Sequence, residues 1–181
     1  DNNLWTCGGR LNDIGQAKWA IDLTRDGYIM VHLDSLDPEI LRSMRSSYNP
    51  RTTRDTLKGI ELLEDMGKPP QEIGNLLMMT ASQDVSDVKE TMRYLYQRYG
   101  VRTCLMSLKP VDDTGKLYSL LPRPADVSEA YLYRDKLFLG GRDMGCQDFP
   151  REYCGTTVFI SLDARVSSCY SLRRNLGSLR E

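Results

Sequence analysis

Tyr28–Met44 reads YIMVHLDSLDPEILRSM. Tyr28–Leu33 is a short, mostly apolar run of the length and composition of a buried strand. Asp34–Pro38 breaks it with turn-forming residues, and Pro38, pre-set for the first helical position, starts a helix through about Arg45. A buried strand that passes directly into a helix is the unit from which parallel sheets are built.

The same unit recurs on either side. Upstream, Asn3–Cys7 (NLWTC) reads as a strand running into Gly8-Gly9, and Asn12 or Asp13 can cap a helix whose Ile14, Ala17, Ala20 and Ile21 share a face. Asp26-Gly27 stops that helix. Downstream, Tyr48-Asn49-Pro50 is a break. Thr53 or Asp55 then opens a helix with Leu57, Ile60, Leu63 and Met66 on one face, ended by Gly67 and Pro69-Pro70. Gly74–Ala81 is a third strand. Asp84 or Ser86 caps a helix bearing Val85, Val88, Met92, Leu95 and Tyr99, Gly100 closes it, and Val101–Leu108 is a fourth strand. The first 110 residues therefore read strand–helix four times, with the last helix missing or replaced. This predicts a parallel sheet with crossover helices. Ligands in such sheets gather at the carboxyl ends of the strands, here Thr6–Gly9, His32–Ser35, Thr80–Ser82 and Lys109-Pro110. After Pro110 the pattern breaks. Residues 111–125 are polar and read as a linker, and residues 126–139 hold a short helix or strand. The expected organisation is a sheet domain over 1–110, a connecting segment over 111–141 and a small unit over 142–181.

Composition narrows the classes. The chain has 181 residues, 40% apolar and 27% charged, as soluble globular proteins do. A net charge of −1 gives no field for nucleic acid. No run of about 18 apolar residues predicts a membrane span, and no start resembles a signal peptide. Five cysteines without an export signal favour a reducing compartment, the cytoplasm. His32 is the one histidine, which excludes a histidine-rich metal site.

The tail carries three cysteines. Thr157–Leu162 and Arg165–Tyr170 read as a hairpin with Asp163-Ala164 as its turn, which brings Cys154 and Cys169 together. Three states are open to those sulfurs: a disulfide, two packed thiols, or ligands of a metal or iron–sulfur cluster. Cys146 is a third ligand candidate. Cys7 and Cys104 read as packed thiols, Met78 and Met79 as core, and Arg51, Arg54, Arg173 and Arg174 as surface. His32 is either aimed at a ligand or satisfied by a backbone carbonyl. Asp34 and Asp37 flank a tight loop, Asp37 as a helix cap. Gly8-Gly9-Arg10 could approach an anion but lacks a phosphate-loop spacing.

LWTCGGRL, followed one helix later by YIMVHLDSLDPEILRSM, resembles the middle of a radical S-adenosylmethionine enzyme. Members show a strand ending TNG and then a strand ending SLDSLDPE. Here Cys7 takes the place of the Asn and His32 that of the first Ser. SQDVSDVKETMRYL and the strand ending SLKPV fit later units, so the resemblance spans residues 3–111. In the tail, Cys154, nine residues, Ala164, four residues and Cys169 resemble the SPASM or twitch pattern, with Ala in place of its Gly. LRRNLGSLRE resembles the segment that follows.

The resemblance implies an α/β partial (β/α) barrel with a parallel sheet, followed by a small α+β cysteine-containing hairpin domain. It implies an oxidoreductase that reductively cleaves S-adenosylmethionine to a 5′-deoxyadenosyl radical and abstracts hydrogen from a substrate. Thr6, His32 and Asp34 would lie at the cofactor, and Cys154, Cys169 and Cys146 would hold an auxiliary [4Fe-4S] cluster. Partners would be a small-molecule or peptide substrate and a reductant such as flavodoxin or ferredoxin, with neither nucleic acid nor membrane. The chain departs from the family in three ways. CxxxCxxC, the glycine-rich segment that contacts the methionine group and the later SPASM cysteines are all absent from these residues. The expectation is a fragment, inactive alone, whose first barrel strands lie upstream, or a degenerate relative. The alternative is a non-catalytic α/β module with a zinc site or free thiols.

Overall fold

The computed structural model describes residues 2–44, 49–108, 118–138, 159–160, 165–167 and 175–178. Four short strands, β1 (Leu4–Thr6), β2 (Ile29–His32), β3 (Ile73–Met79) and β4 (Arg102–Ser107), form an all-parallel sheet in the order β1-β2-β3-β4. Helix α1 (Ile14–Leu23) joins β1 to β2, α2 (Pro38–Met44) and α3 (Thr52–Asp65) join β2 to β3, and α4 (Val85–Tyr99) joins β3 to β4. All four expected strands are present, and the α/β parallel architecture is the one observed. Each strand is added beside the one before. Right-handed crossovers in a sheet that grows in one direction place the connecting helices on one face.

The strands record that asymmetry. In β3, Ile73, Asn75, Leu77 and Met79 are buried, whereas Gly74, Leu76 and Met78 are half-buried. The covered face packs Ile29, Val31 and Leu33 against Ala17, Ala20, Ile60, Leu63 and Leu95. A second cluster joins Leu77, Met79 and Leu105 to Val88, Met92 and Ala130.

Helix ends follow local chemistry. The Asp13 carboxylate accepts from the Gln16 amide at 3.0 Å, and that of Asp84 from the Asp87 amide at 2.9 Å. Gly100 ends α4 at φ 68°, a left-handed conformation that favours glycine. Neither Thr53 nor Asp55 caps α3. That helix starts at Thr52 behind Arg51, whose amide donates to Asn49 Oδ1. Ile14 is 69% exposed, so the buried stripe of α1 is Ala17 and Ala20 with Ile21 at its edge.

The fourth unit does have its helix. α5 (Pro124–Leu137) follows β4, packs on α4, and anchors Tyr131 Oη to the Leu105 carbonyl at 2.8 Å. Pro124, within the stretch read from sequence as a linker, occupies the first turn of α5, where a missing N–H costs nothing. The buried Arg134 interrupts the apolar stripe of this helix and hides its period.

Lys68, buried, ties the ends of two units together. Its Nζ donates to the Thr24 carbonyl at 2.6 Å, the Gly27 carbonyl at 2.7 Å and Glu72 Oε2 at 2.6 Å, so all three ammonium donors are used.

In the tail, β5 (Phe159–Ile160), β6 (Arg165–Ser167) and β7 (Asn175–Ser178) form a three-stranded antiparallel sheet. β5 and β6 pair as the sequence suggests, but Ile160 stands opposite Val166. A two-residue turn at 163–164 would set Ile160 opposite Ser167, so the register differs by one residue. A two-residue turn favours positive φ, which Ala resists. Cys146, Cys154 and Cys169 lie outside the described residues.

Candidate functional site

Parallel register puts side chains of matched residues on the same face. Trp5, Met30 and Gly74 are matched across β1, β2 and β3, and His32, Leu76 and Cys104 across β2, β3 and β4. These side chains occupy the face opposite the helices. At the carboxyl end of β1 and β2 that face opens into a pocket of about 290 Å3, lined by Trp5, Thr6, Cys7, Met30, Val31, His32 and Leu76. The sequence predicts ligand-binding residues at these strand ends, and the structure brings two of those predicted, Thr6 and His32, to one pocket.

His32 and Asp34 are two residues apart along an extended chain and so share a side. His32 Nε2 is 2.8 Å from Asp34 Oδ1, which also accepts the Met78 amide at 2.8 Å. The two residues differ in access: the side chain of His32 is 32% exposed and that of Asp34 only 4%. A ligand in the pocket meets the imidazole, and Asp34 holds the ring from behind. The backbone-carbonyl alternative for His32 is replaced by this carboxylate. Thr6 reaches the pocket too, but its Oγ accepts the Gly8 amide at 3.2 Å and so shapes the loop. That loop lies tight on α3. Gly8 has φ 75°, a Cβ there would come within 2.8 Å of Thr56 Cγ2, and Thr56 Oγ donates to the Cys7 carbonyl. Asp37 Oδ1 accepts the Glu39 amide at 2.8 Å, the cap expected of it.

Behind the pocket rim lies a polar network that local sequence does not reveal. Asn75 is fully buried in the middle of β3. Its Oδ1 accepts the Leu33 amide at 2.9 Å and its Nδ2 donates to the Leu33 carbonyl at 3.0 Å, so one side chain serves both backbone groups at the end of β2. Gln83 Nε2 donates to the Asp34 carbonyl at 2.6 Å and to Asp87 Oδ2 at 3.3 Å, while its Oε1 accepts the Thr80 amide. Ser35 Oγ donates to Asp87 Oδ1 at 2.6 Å and accepts the Asp37 amide. Burial raises the Asp87 carboxyl above the usual aspartate range, against the lowering effect of the bonds from Ser35 and Gln83. The polar Asn75 inside GNLLMM was the one available signal for this network.

The arrangement can bind a flat, partly apolar molecule. Trp5, 51% exposed, presents its indole; Met30 and Leu76 supply apolar walls; His32 supplies a polar edge. Cys7 is an exposed thiol at the same pocket, not a packed one, and Cys104 is buried. Met79 is core, whereas Met78 is half-buried. Among the described residues no group of three or more His, Cys, Asp or Glu side chains could hold a metal ion. No helix among them is long and apolar enough to cross a membrane.

The chain matches no model of a known protein family, and no curated protein matches it.

Proposed function

We propose that this chain is part of a radical S-adenosylmethionine oxidoreductase, its sheet an arc of a partial (β/α) barrel and its tail an auxiliary-cluster unit of the SPASM or twitch kind. One observation carries the reading. The two segments that resemble the family, TCGG and HLDSLDPE, lie side by side at the carboxyl ends of β1 and β2, on one pocket. A parallel sheet whose order never reverses, with a ligand-sized opening on the face away from its helices, is also what an arc of barrel presents.

The residues present suit the adenosyl half of the cofactor. The Trp5 indole offers a flat surface for a purine, the His32 ring a hydrogen-bond partner for a hydroxyl, and Asp34 fixes that ring. Thr6 sets the loop that rims the pocket. In the family, a reduced cluster supplies the electron that cleaves the bound cofactor, and the resulting 5′-deoxyadenosyl radical takes hydrogen from the substrate. Cys146, Cys154 and Cys169 supply three thiolates toward the four that a [4Fe-4S] cluster takes. The substrate is a small molecule or peptide, the electron donor a flavodoxin or ferredoxin, and the compartment the cytoplasm.

The test is iron and sulfide analysis of anaerobically reconstituted protein, wild type against Cys154→Ala/Cys169→Ala. Iron and sulfide with absorbance at about 400 nm, lost in the double variant, support the cluster. A colourless wild type without iron removes it. Zinc lost in the same variant would instead favour a structural site in a non-catalytic α/β module.

A further inference from the structure

The geometry points to Cys7 as a nucleophilic thiol served by His32 and Asp34, in a pocket suited to a conjugated carbonyl compound with an apolar body. Thr6 pairs with Val31 in parallel register, and Cys7 and His32, each the next residue along its chain, line the same pocket. Cys7 is exposed and forms no disulfide. His32 Nε2 is taken by Asp34 Oδ1 at 2.8 Å. An ionised carboxylate only accepts, so the neutral ring carries its proton on Nε2 and presents Nδ1 as a lone pair. Nδ1 has no hydrogen-bond partner among the described residues. Asp34, pinned by the Met78 amide, is the positioning residue. A thiol, a base and a group that orients the base are the parts of an activated nucleophile. Cys104, on the same face, is 3% exposed and out of reach.

Sulfur is a soft nucleophile, and the walls beside it are Trp5, Met30 and Leu76. A soft carbon electrophile with an apolar body matches both. In the reaction the Cys7 sulfur bonds to the β-carbon and the C=C electron pair moves onto the carbonyl as an enolate. His32 Nδ1 takes the thiol proton and returns it to the α-carbon. Every atom of thiol and acceptor remains in the adduct, and no oxidant or reductant is consumed. This reactivity does not depend on the radical chemistry proposed above.

The probe is N-ethylmaleimide at pH 7, with the Cys7 adduct followed by peptide mass spectrometry. A positioned base predicts that Cys7 in the native chain reacts at least about tenfold faster than in the guanidinium-unfolded chain. His32→Gln returns the rate to the unfolded value, and imidazole restores it in His32→Gly. Asp34→Asn slows the wild-type reaction but leaves the imidazole-rescued rate of His32→Gly unchanged, because Asp34 acts only through the ring. A native rate equal to or below the unfolded rate overturns the assignment, as does a folded His32→Gln chain that reacts like wild type. If His32→Gln does not fold, the comparison of native with unfolded wild type decides alone.

Discussion

The Lys68 ammonium lies 2.6 Å from the carbonyl oxygen of Thr24, 44 residues earlier in the chain. The contact joins the end of α1 to the entry of β3. The same nitrogen bonds the Gly27 carbonyl and Glu72, and its side chain is 2% exposed while that of Glu72 is 41%. Replacement by Met should therefore hurt through the carbonyls more than through Glu72, which water can reach.

Lys68→Met should lower stability by about 3 kcal/mol, because charge-assisted bonds to buried acceptors are lost. Glu72→Gln should cost no more than about 1 kcal/mol, as exposed ion pairs do. Urea unfolding at constant m-value measures both. Equal losses in the two variants would show that the ion pair, not the carbonyl contacts, holds this corner.

Asn75→Leu should cost about 2 kcal/mol despite placing an apolar residue in a buried strand. The substitution leaves the Leu33 amide and carbonyl without their side-chain partners at the end of β2. Because that strand end also carries His32 and Asp34, the variant should lose the enhancement of N-ethylmaleimide reactivity at Cys7 while keeping its helical circular dichroism. A stability equal to wild type would mean that the clasp contributes nothing.

Gly59 faces the loop after β1. A Cβ there would stand 2.8 Å from Leu11 Cβ and 3.2 Å from the Leu11 carbonyl carbon. In an open helix Gly→Ala gains up to about 1 kcal/mol, whereas overpacking costs about 1–3 kcal/mol. The second effect should win, so Gly59→Ala should lower the urea midpoint. A raised midpoint would mean that the Gly8–Leu11 loop yields freely to α3.

Asp87 sets a pH dependence. Its folded-state carboxyl titrates above its ordinary value of 3.8, chiefly through burial, so between the two values the folded chain holds more proton than the unfolded one. Stability then falls as pH rises from 3.8 through the raised folded value. Asp84 acts with the opposite sign and in a different window. The Ser86 hydroxyl and the Asp87 amide hold it below 3.8, so its contribution is present above 3.8 and lost as pH falls through the lowered value. Glu64, raised by burial, adds to the slope of Asp87. The informative quantity is the difference between wild type and Asp87→Asn in urea midpoint against pH. The Asp87→Asn midpoint minus the wild-type midpoint should rise from pH 3.8 upward, and a constant offset would refute the assignment.

By itself, the amino-acid sequence determined the order of strands and helices in the first 108 residues. Short apolar runs such as YIMVHL, bounded by turn-forming residues, have the length of buried strands, and Asp13, Asp84, Pro38 and Gly100 act on backbone groups a few residues away. It also marked the strand ends where Thr6, Cys7 and His32 meet. Only tertiary structure decided that Asp34 turns inward to hold His32. It also decided that Asn75 clasps Leu33, that Gln83 and Asp87 fasten the loop after β2, that Lys68 closes the far corner, and that α5 completes the fourth unit. The bonds that settle these side chains reach across the sheet or to a crossing helix, 41 to 52 residues along the chain: Lys68 to Gly27 and Thr24, Asn75 to Leu33, Met78 to Asp34, Gln83 to Asp34 and Ser35 to Asp87. A side chain's local pattern shows that it is polar. Register and helix crossing choose the group that satisfies it.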